Sequence, residues 1–217
     1  MPTENKSNKI ITIVLAVIIT LAAITVIYIS LPQNKENKKT TGGNNGQQGG
    51  GNQTTETVIL TVTYGDKQTN YTLHELENLT SYTGMGGRRT NLLKIEGQGN
   101  YTGVPVITLV ELTAGDGDIE NYSIIATSNY KGRIENKTYN YSYILGNVDI
   151  YNPNNASDST PIGNGGLTMV IAYKYEGNYL NESNDGKLRI AFLDENGSIT
   201  YSQLWYKSVI SIGIVEQ

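Results

Sequence analysis

The stretch "YTGVPVITLVELTAGDGD", residues 101–118, decides the fold. Pro105 stands where a helix can begin, because the first turn leaves its N–H groups unbonded and proline has none to waste. Val106, Leu109, Val110 and Thr113 then recur on one face at helical spacing, and Gly115 supplies the stop. The spacing predicts one short amphipathic helix with a single apolar face. What that face covers must be read from the segments around it.

Those segments are strands. "TVILTVTY" (57–64) alternates β-branched and polar residues and runs into the turn "GDK". "NLLKIEG" (91–97), "YSIIATS" (122–128), "GKLRIAFL" (186–193) and "SVISIGIV" (208–215) read as further strands, and the continuous apolar run "LTMVIAYKY" (167–175) reads as a central one. "KTYNYSYIL" (137–145) alternates tyrosine with polar residues, which predicts a half-buried strand with Tyr139, Tyr141 and Tyr143 on one face. The Asn-Gly step in "DENG" (194–197) is a hairpin signal. A second short helix is predicted in "YTLHELENL" (71–79), where Thr72 and Glu75 have capping-box spacing. Many strands and two short helices make an α+β, predominantly β domain, and no internal repeat is visible.

The order of these segments carries a resemblance. "YTGVPVITLVELTAGDGD", then "YSIIATSNY", "MVIAYKYEGNYL", "GKLRIAFL" and the close "WYKSVISIGI", with Trp205, Lys207, Val209 and Ile212, resembles the sulfite oxidase-like, oxidoreductase molybdopterin-binding domain family over about residues 58–216. The resemblance implies that family's fold, and molybdopterin as the cofactor. It also implies a ligand cysteine within a segment like C-A-G-N-R-R. The stretch "SYTGMGGRR" (81–89) can be laid on that segment, which puts Gly84 at the cysteine's place and Arg88 and Arg89 on the arginine pair. The chain has no cysteine at all. A soft thiolate ligand to molybdenum is therefore absent, and glycine offers no donor. The resemblance implies the fold and withdraws the catalysis: no catalytic residue, no metal ligand and no cofactor are expected.

What remains is a candidate anion site. Arg88 and Arg89 offer forked cationic donors, and Gly84, Gly86 and Gly87 can expose backbone N–H groups as a nest, if the stretch is a pocket wall rather than a hairpin tip. Arg189, in "KLRIAFL", joins them if it faces inward. His74, the single histidine, reads as an exposed helix residue, and Trp205 as a core anchor. Asp116, Asp118 and Glu120 in "DGDIEN" lack the full pattern of a calcium loop and read as a polar turn. The polar run "YNPNNASDSTPIGNGG" (151–166) reads as an exposed excursion.

Outward from this domain the chain changes character. Residues 10–31 carry no charge, and 22 residues at about 1.5 Å each span a bilayer core of roughly 30 Å, so they are expected to form one transmembrane helix behind a cytoplasmic head of residues 1–9. Lys6 and Lys9 precede it and Lys35, Lys38 and Lys39 follow, a balance that does not set orientation. Residues 32–56 hold no apolar residue that can pack and read as a flexible Gly/Asn/Gln-rich linker. N-x-S/T triplets at Asn52, Asn70, Asn78, Asn100, Asn121, Asn136, Asn140, Asn155, Asn181 and Asn196 point to glycan acceptors, hence to a domain outside the cell membrane. Sequons without cysteine fit an archaeal surface protein. Residues 57–217 carry eleven basic and seventeen acidic residues, which argues against a nucleic-acid partner. The expected function is non-catalytic binding of a small anionic ligand or of a cell-surface protein or glycan. Two other classes stay open: an oxidoreductase holding molybdopterin without a cysteine ligand, and a structural or adhesive surface glycoprotein.

Overall fold

Two main sheets and a two-stranded ribbon make up most of the described residues, and the prediction of a mainly β domain holds. The computed structural model describes residues 56–115, 119–181 and 186–216, all within one compact unit, Gln53–Gln217. The predicted head and membrane helix, residues 32–55 of the linker with Asn52, and Asp116 and Asp118 lie outside the described residues. Among the described residues no helix is long and apolar enough to cross a membrane.

The first sheet is built from β1 (Val58–Tyr64), β2 (Lys67–Thr72), β5 (Tyr122–Tyr130), β6 (Arg133–Tyr139) and β14 (Val209–Glu216), in the order β2-β1-β14-β5-β6. Its ends of sequence meet at the centre, since β1 and β14 pair in parallel. The second sheet contains β3 (Tyr82–Arg89), β4 (Ile95–Pro105), β9 (Thr168–Tyr175), β11 (Arg189–Leu193), β12 (Ile199–Tyr201) and β13 (Tyr206–Lys207), in the order β12-β3-β4-β9-β11-β13. The short β10 (Asn178–Tyr179) pairs with the end of β9. A two-stranded ribbon, β7 (Asp149–Ile150) with β8 (Gly163–Asn164), flanks the long polar loop.

Side-chain alternation explains the two cores. Met169, Ile171 and Tyr173 of β9, with Ile190 and Phe192 of β11, face the main core between the sheets. Val170 and Ala172, with Ala191 and Leu193, face a smaller core that also holds Tyr101 and Trp205. A strand buried on both faces has no polar side to show, which is why "MVIAY" reads as continuously apolar. The second sheet encloses the small core by folding β3 back over β11, where Met85 N–H donates to the Asp194 carbonyl at 2.7 Å and Asp194 N–H returns the bond at 3.0 Å.

The helix of the opening stretch is α2 (Val106–Ala114), following α1 (Leu73–Asn78), and it buries Val106, Leu109, Val110 and Thr113 as the spacing predicts. Gly115 ends it at φ 89°. In α1 the capping box is formed in both directions: Glu75 N–H donates to Thr72 Oγ1 at 3.2 Å, and Thr72 N–H donates to Glu75 Oε2 at 2.7 Å.

Four sequence expectations are corrected. "SYTGMGGRR" is neither a loop nor a hairpin tip, but strand β3. "NLLK" is a turn, and the strand starts at Ile95 and continues through Pro105. "KTYNYSYIL" divides: β6 ends at the buried Tyr139, and α3 (Tyr141–Ile144) begins because the Asn140 side chain accepts the Tyr143 N–H at 3.0 Å as an N-cap. Tyr139, Tyr141 and Tyr143 therefore do not share a strand face. "DENG" does not close a hairpin, since both edges of β11 are occupied by β9 and β13 and the emerging β12 pairs in parallel with β3.

Candidate functional site: a cationic cavity

Alternation on β3 separates the two adjacent arginines. Gly84, Gly86 and Arg88 share one face, and Gly87 and Arg89 the other. Arg89, 6% exposed, turns to the long polar loop: its Nε donates to the Ala156 carbonyl at 2.7 Å, its Nη2 to Ser159 Oγ at 3.3 Å, and its guanidinium lies 5.4 Å from the Tyr151 ring centre. Arg88 turns toward the small core, where Arg189 also lies.

Arg189 does face inward. It follows the parity of Ala191 and Leu193, is 4% exposed, sits 5.9 Å from the Trp205 ring centre and directs Nη1 to the Tyr101 hydroxyl at 3.5 Å. That hydroxyl donates in turn to the Gly97 carbonyl at 2.8 Å. Burial raises the Tyr101 pKa, while the charges of Arg189 and Arg88 pull it down, so both guanidinium groups act on one phenol. Lys207 is the direct cross-strand partner of Arg189, which brings a third cation alongside.

The three cations line a cavity of about 290 Å³ where the two sheets meet. The second sheet contributes Arg88, Arg189, Tyr206 and Lys207, with Ser202 and Trp205 from the turn before β13. The β5–β6 hairpin contributes Ser128, Tyr130 and Glu135. Lys207 Nζ lies 3.7 Å from the Tyr130 ring centre, and Lys207, then Lys131, hold the Tyr130 hydroxyl below its ordinary pKa. Ser128 Oγ donates to the Lys207 carbonyl at 2.8 Å, tying the hairpin to β13. One carboxylate balances part of this charge: Glu96 Oε2 is 3.3 Å from Arg88 Nη2. Glu135, on the cavity wall, pairs with Arg133 outside the lining, 2.8 Å from its Nε.

The glycines do something other than form a nest. None of Gly84, Gly86 and Gly87 has the left-handed backbone that a nest alternates with. They let β3 close over β11 and β12: a Cβ on Gly86 would lie 2.6 Å from the Phe192 carbonyl oxygen, and one on Gly87 2.6 Å from Ile199 Cδ1. Gly84 is the position that the resemblance gives to the ligand cysteine. A Cβ there would lie 2.6 Å from Tyr82 Cε1 and 2.9 Å from the Asp194 carbonyl oxygen, so the space a ligand side chain would need is filled. The residues at this position do not fit a protein-ligated molybdopterin metal. Among the described residues no three His, Cys, Asp or Glu side chains gather as metal ligands.

Of the predicted site residues, the structure thus brings Arg88 and Arg189 together, sends Arg89 elsewhere and uses the three glycines for packing. His74 is exposed on α1, its Nε2 3.2 Å from Asn78 Nδ2. Sequence reasoning missed Ser128, Tyr130, Glu135, Ser202 and Tyr206; Lys207 and Trp205 stand out only as part of the closing pattern. The nine sequon asparagines within the described residues, Asn70, Asn78, Asn100, Asn121, Asn136, Asn140, Asn155, Asn181 and Asn196, are all exposed.

The fold and cavity define a class: a predominantly β, two-sheet domain with a cationic pocket at the sheet junction. No family model matches the chain, and no curated protein does. Among solved structures the chain is similar to the sulfane dehydrogenase SoxCD from Paracoccus pantotrophus, at 14% identity and a TM-score of 0.48, over 73% of this chain. It spans 38% of the length of that chain. The likeness is one of chain trace and assigns no residue a role.

Proposed function

We propose that this protein is a non-catalytic binding protein of the cell exterior, tethered by residues 10–31, that takes a small anionic ligand in the cavity between its sheets. The observation that carries this reading is the convergence of Arg88, Arg189 and Lys207, from three different strands, on one cavity in a domain that is otherwise acidic. The Arg189 guanidinium, held beside Tyr101 and Trp205, and the Arg88 guanidinium, held by Glu96, are oriented before any ligand arrives, which lowers the ordering cost of binding. The uniform exposure of the described sequons supports the exterior placement. A molybdopterin oxidoreductase is the weaker reading, because the position that the resemblance assigns to the ligand cysteine is a tightly packed glycine.

Isothermal titration calorimetry of the full-length protein in detergent, with sulfate and with phosphate, tests this. Saturable binding is expected in the wild type, and at least about tenfold weaker binding in Arg88→Ala and Lys207→Ala, a loss of about 1.4 kcal/mol each. Absence of binding, or equal affinity in all three proteins, would overturn the proposal.

A further inference from the structure

The turn between β3 and β4 ends in two leucines that the fold does not use. Leu92 is 78% exposed and Leu93 47%. They are the only sequence neighbours among the exposed large apolar side chains of the described residues. Resting on the reading that residues 10–31 tether the domain, we infer that this turn is a membrane-docking tip, and that Leu92 and Leu93 enter the lipid surface to which the chain is anchored.

The backbone holds the leucines there against its own preference. Leu93 N–H donates to the Thr90 carbonyl at 3.0 Å, and Thr90 N–H donates to the Lys94 carbonyl at 2.8 Å, so the turn is tight. Leu93 takes a φ of 57°. Three-residue hairpin turns need that left-handed conformation at their last position, and glycine is the usual residue because a Cβ is strained there. Behind the apex the Tyr201 hydroxyl donates to Asn91 Oδ1, and the Tyr201 ring lies 6.4 Å from the Tyr151 ring. A leucine kept at a glycine position, with its side chain in solvent, contributes nothing to the core that would offset the strain. An outlier of this kind points to a contact outside the fold.

Reach and size make that contact a bilayer. The linker enters beside α1, since Val58 pairs with Thr72, the N-cap of α1. β3 then carries the chain from Tyr82 toward the tip over eight residues, about 26 Å. Residues 32–56, read from sequence as a flexible coil, have an r.m.s. span of roughly 25–30 Å. The two lengths match, which is the condition for a high effective concentration, roughly millimolar, of the tip at its own membrane. Two leucines would hold a free protein on a bilayer weakly, but a tethered domain needs no more. A protein partner would need about 800 Å² from this side, far more than a two-residue apex offers. Thr90, Asn91 and Lys94 flank the leucines with polar and cationic groups, and Tyr151 and Tyr201 stand behind them, residue types that settle at the headgroup level.

The chain has no cysteine, so Lys94→Cys gives a unique site for an environment-sensitive fluorophore that leaves both leucines in place. The labelled full-length protein is placed in phosphatidylcholine vesicles with and without a lipid-borne quencher. Blue-shifted emission and quenching by the lipid are expected. Adding Leu92→Ser and Leu93→Gly should lower the docked-to-free ratio about tenfold or more, the scale set by returning two leucines to water. Glycine suits the φ of 57°, so this variant should unfold at a midpoint no lower than that of the parent. A lowered midpoint would mean that the leucines serve the fold, and overturns the inference. Solvent-like emission, or quenching that the two substitutions leave unchanged, overturns it while protein that resists a carbonate wash keeps the tether. A response that follows protein density in the vesicles rather than quencher content makes a second copy the occupant and overturns it as well. Release of the protein by carbonate overturns both the tether and the tip.

Discussion

Arg88 and Arg89 are neighbours in sequence and serve opposite sides of one strand. Two substitutions therefore give different results. Arg88→Ala should cost anion affinity, whereas Arg89→Ala should leave it within about twofold and instead loosen residues 156–159, seen as faster backbone amide exchange there. Equal losses of affinity would contradict the assignment of the two side chains to different faces. The glycines before them make a second prediction. In Gly86→Ala the new methyl group meets the Phe192 carbonyl oxygen and Leu193 Cδ2, at 2.6 and 2.9 Å, and the backbone oxygen cannot yield without moving β11. Overpacking of this kind costs about 1–3 kcal/mol, so denaturant unfolding should show a clearly lowered midpoint; an unchanged midpoint would mean that β3 does not lie on β11. None of this is legible before the strand is known. Three glycines in nine residues signal a turn when read locally, and only the neighbouring strands show that they are gaps left for backbone oxygens at Gly84 and Gly86 and for side chains at Gly87.

At the scale of elements, local rules read well where a segment's own side chains decide its shape. α1 has its capping box and α2 its buried face, both as spaced in the sequence. They fail where a short polar side chain or an occupied edge overrules the pattern, as at Asn140 and at "DENG". The Asp194 turn carries a pH prediction. Burial alone would raise the Asp194 pKa, but the Ser198 hydroxyl at 2.5 Å and the N–H groups of Ser198, Asn196 and Gly197 at 3.0, 3.0 and 2.7 Å hold it below the ordinary value. A carboxylate depressed in the folded state contributes stability that is complete above its unfolded pKa of about 3.9 and is lost as pH falls through the folded value. Asp194→Asn keeps an acceptor and removes the titration. Its melting temperature should fall less than that of the wild type between about pH 5 and pH 2; parallel curves would contradict the role given to the charge.

For the whole molecule, β1, β5, β9, β11, β14 and the helices α1 and α2 were readable one by one, β3 and α3 were not, and no pairing was. The parallel contacts of β1 with β14 and of β12 with β3 join residues far apart in the chain, and no local pattern encodes them. The cavity is a product of that pairing. Arg88 could be named as a candidate because it belongs to an arginine pair in a glycine-rich stretch, and Arg189 because it is a charge in an apolar strand, yet the β5–β6 hairpin that supplies Glu135 and Tyr130 looks like any solvated turn. The same pairing places the only tryptophan of the chain in the cavity wall, 5.9 Å from Arg189. Trp205 emission is thus a reporter for the central claim. Titrating the full-length protein with sulfate at constant ionic strength should give a saturable change in Trp205 fluorescence in the wild type, shifted to about tenfold higher sulfate in Lys207→Ala. A flat response in the wild type, or one that Lys207→Ala leaves untouched, would contradict anion binding between the sheets.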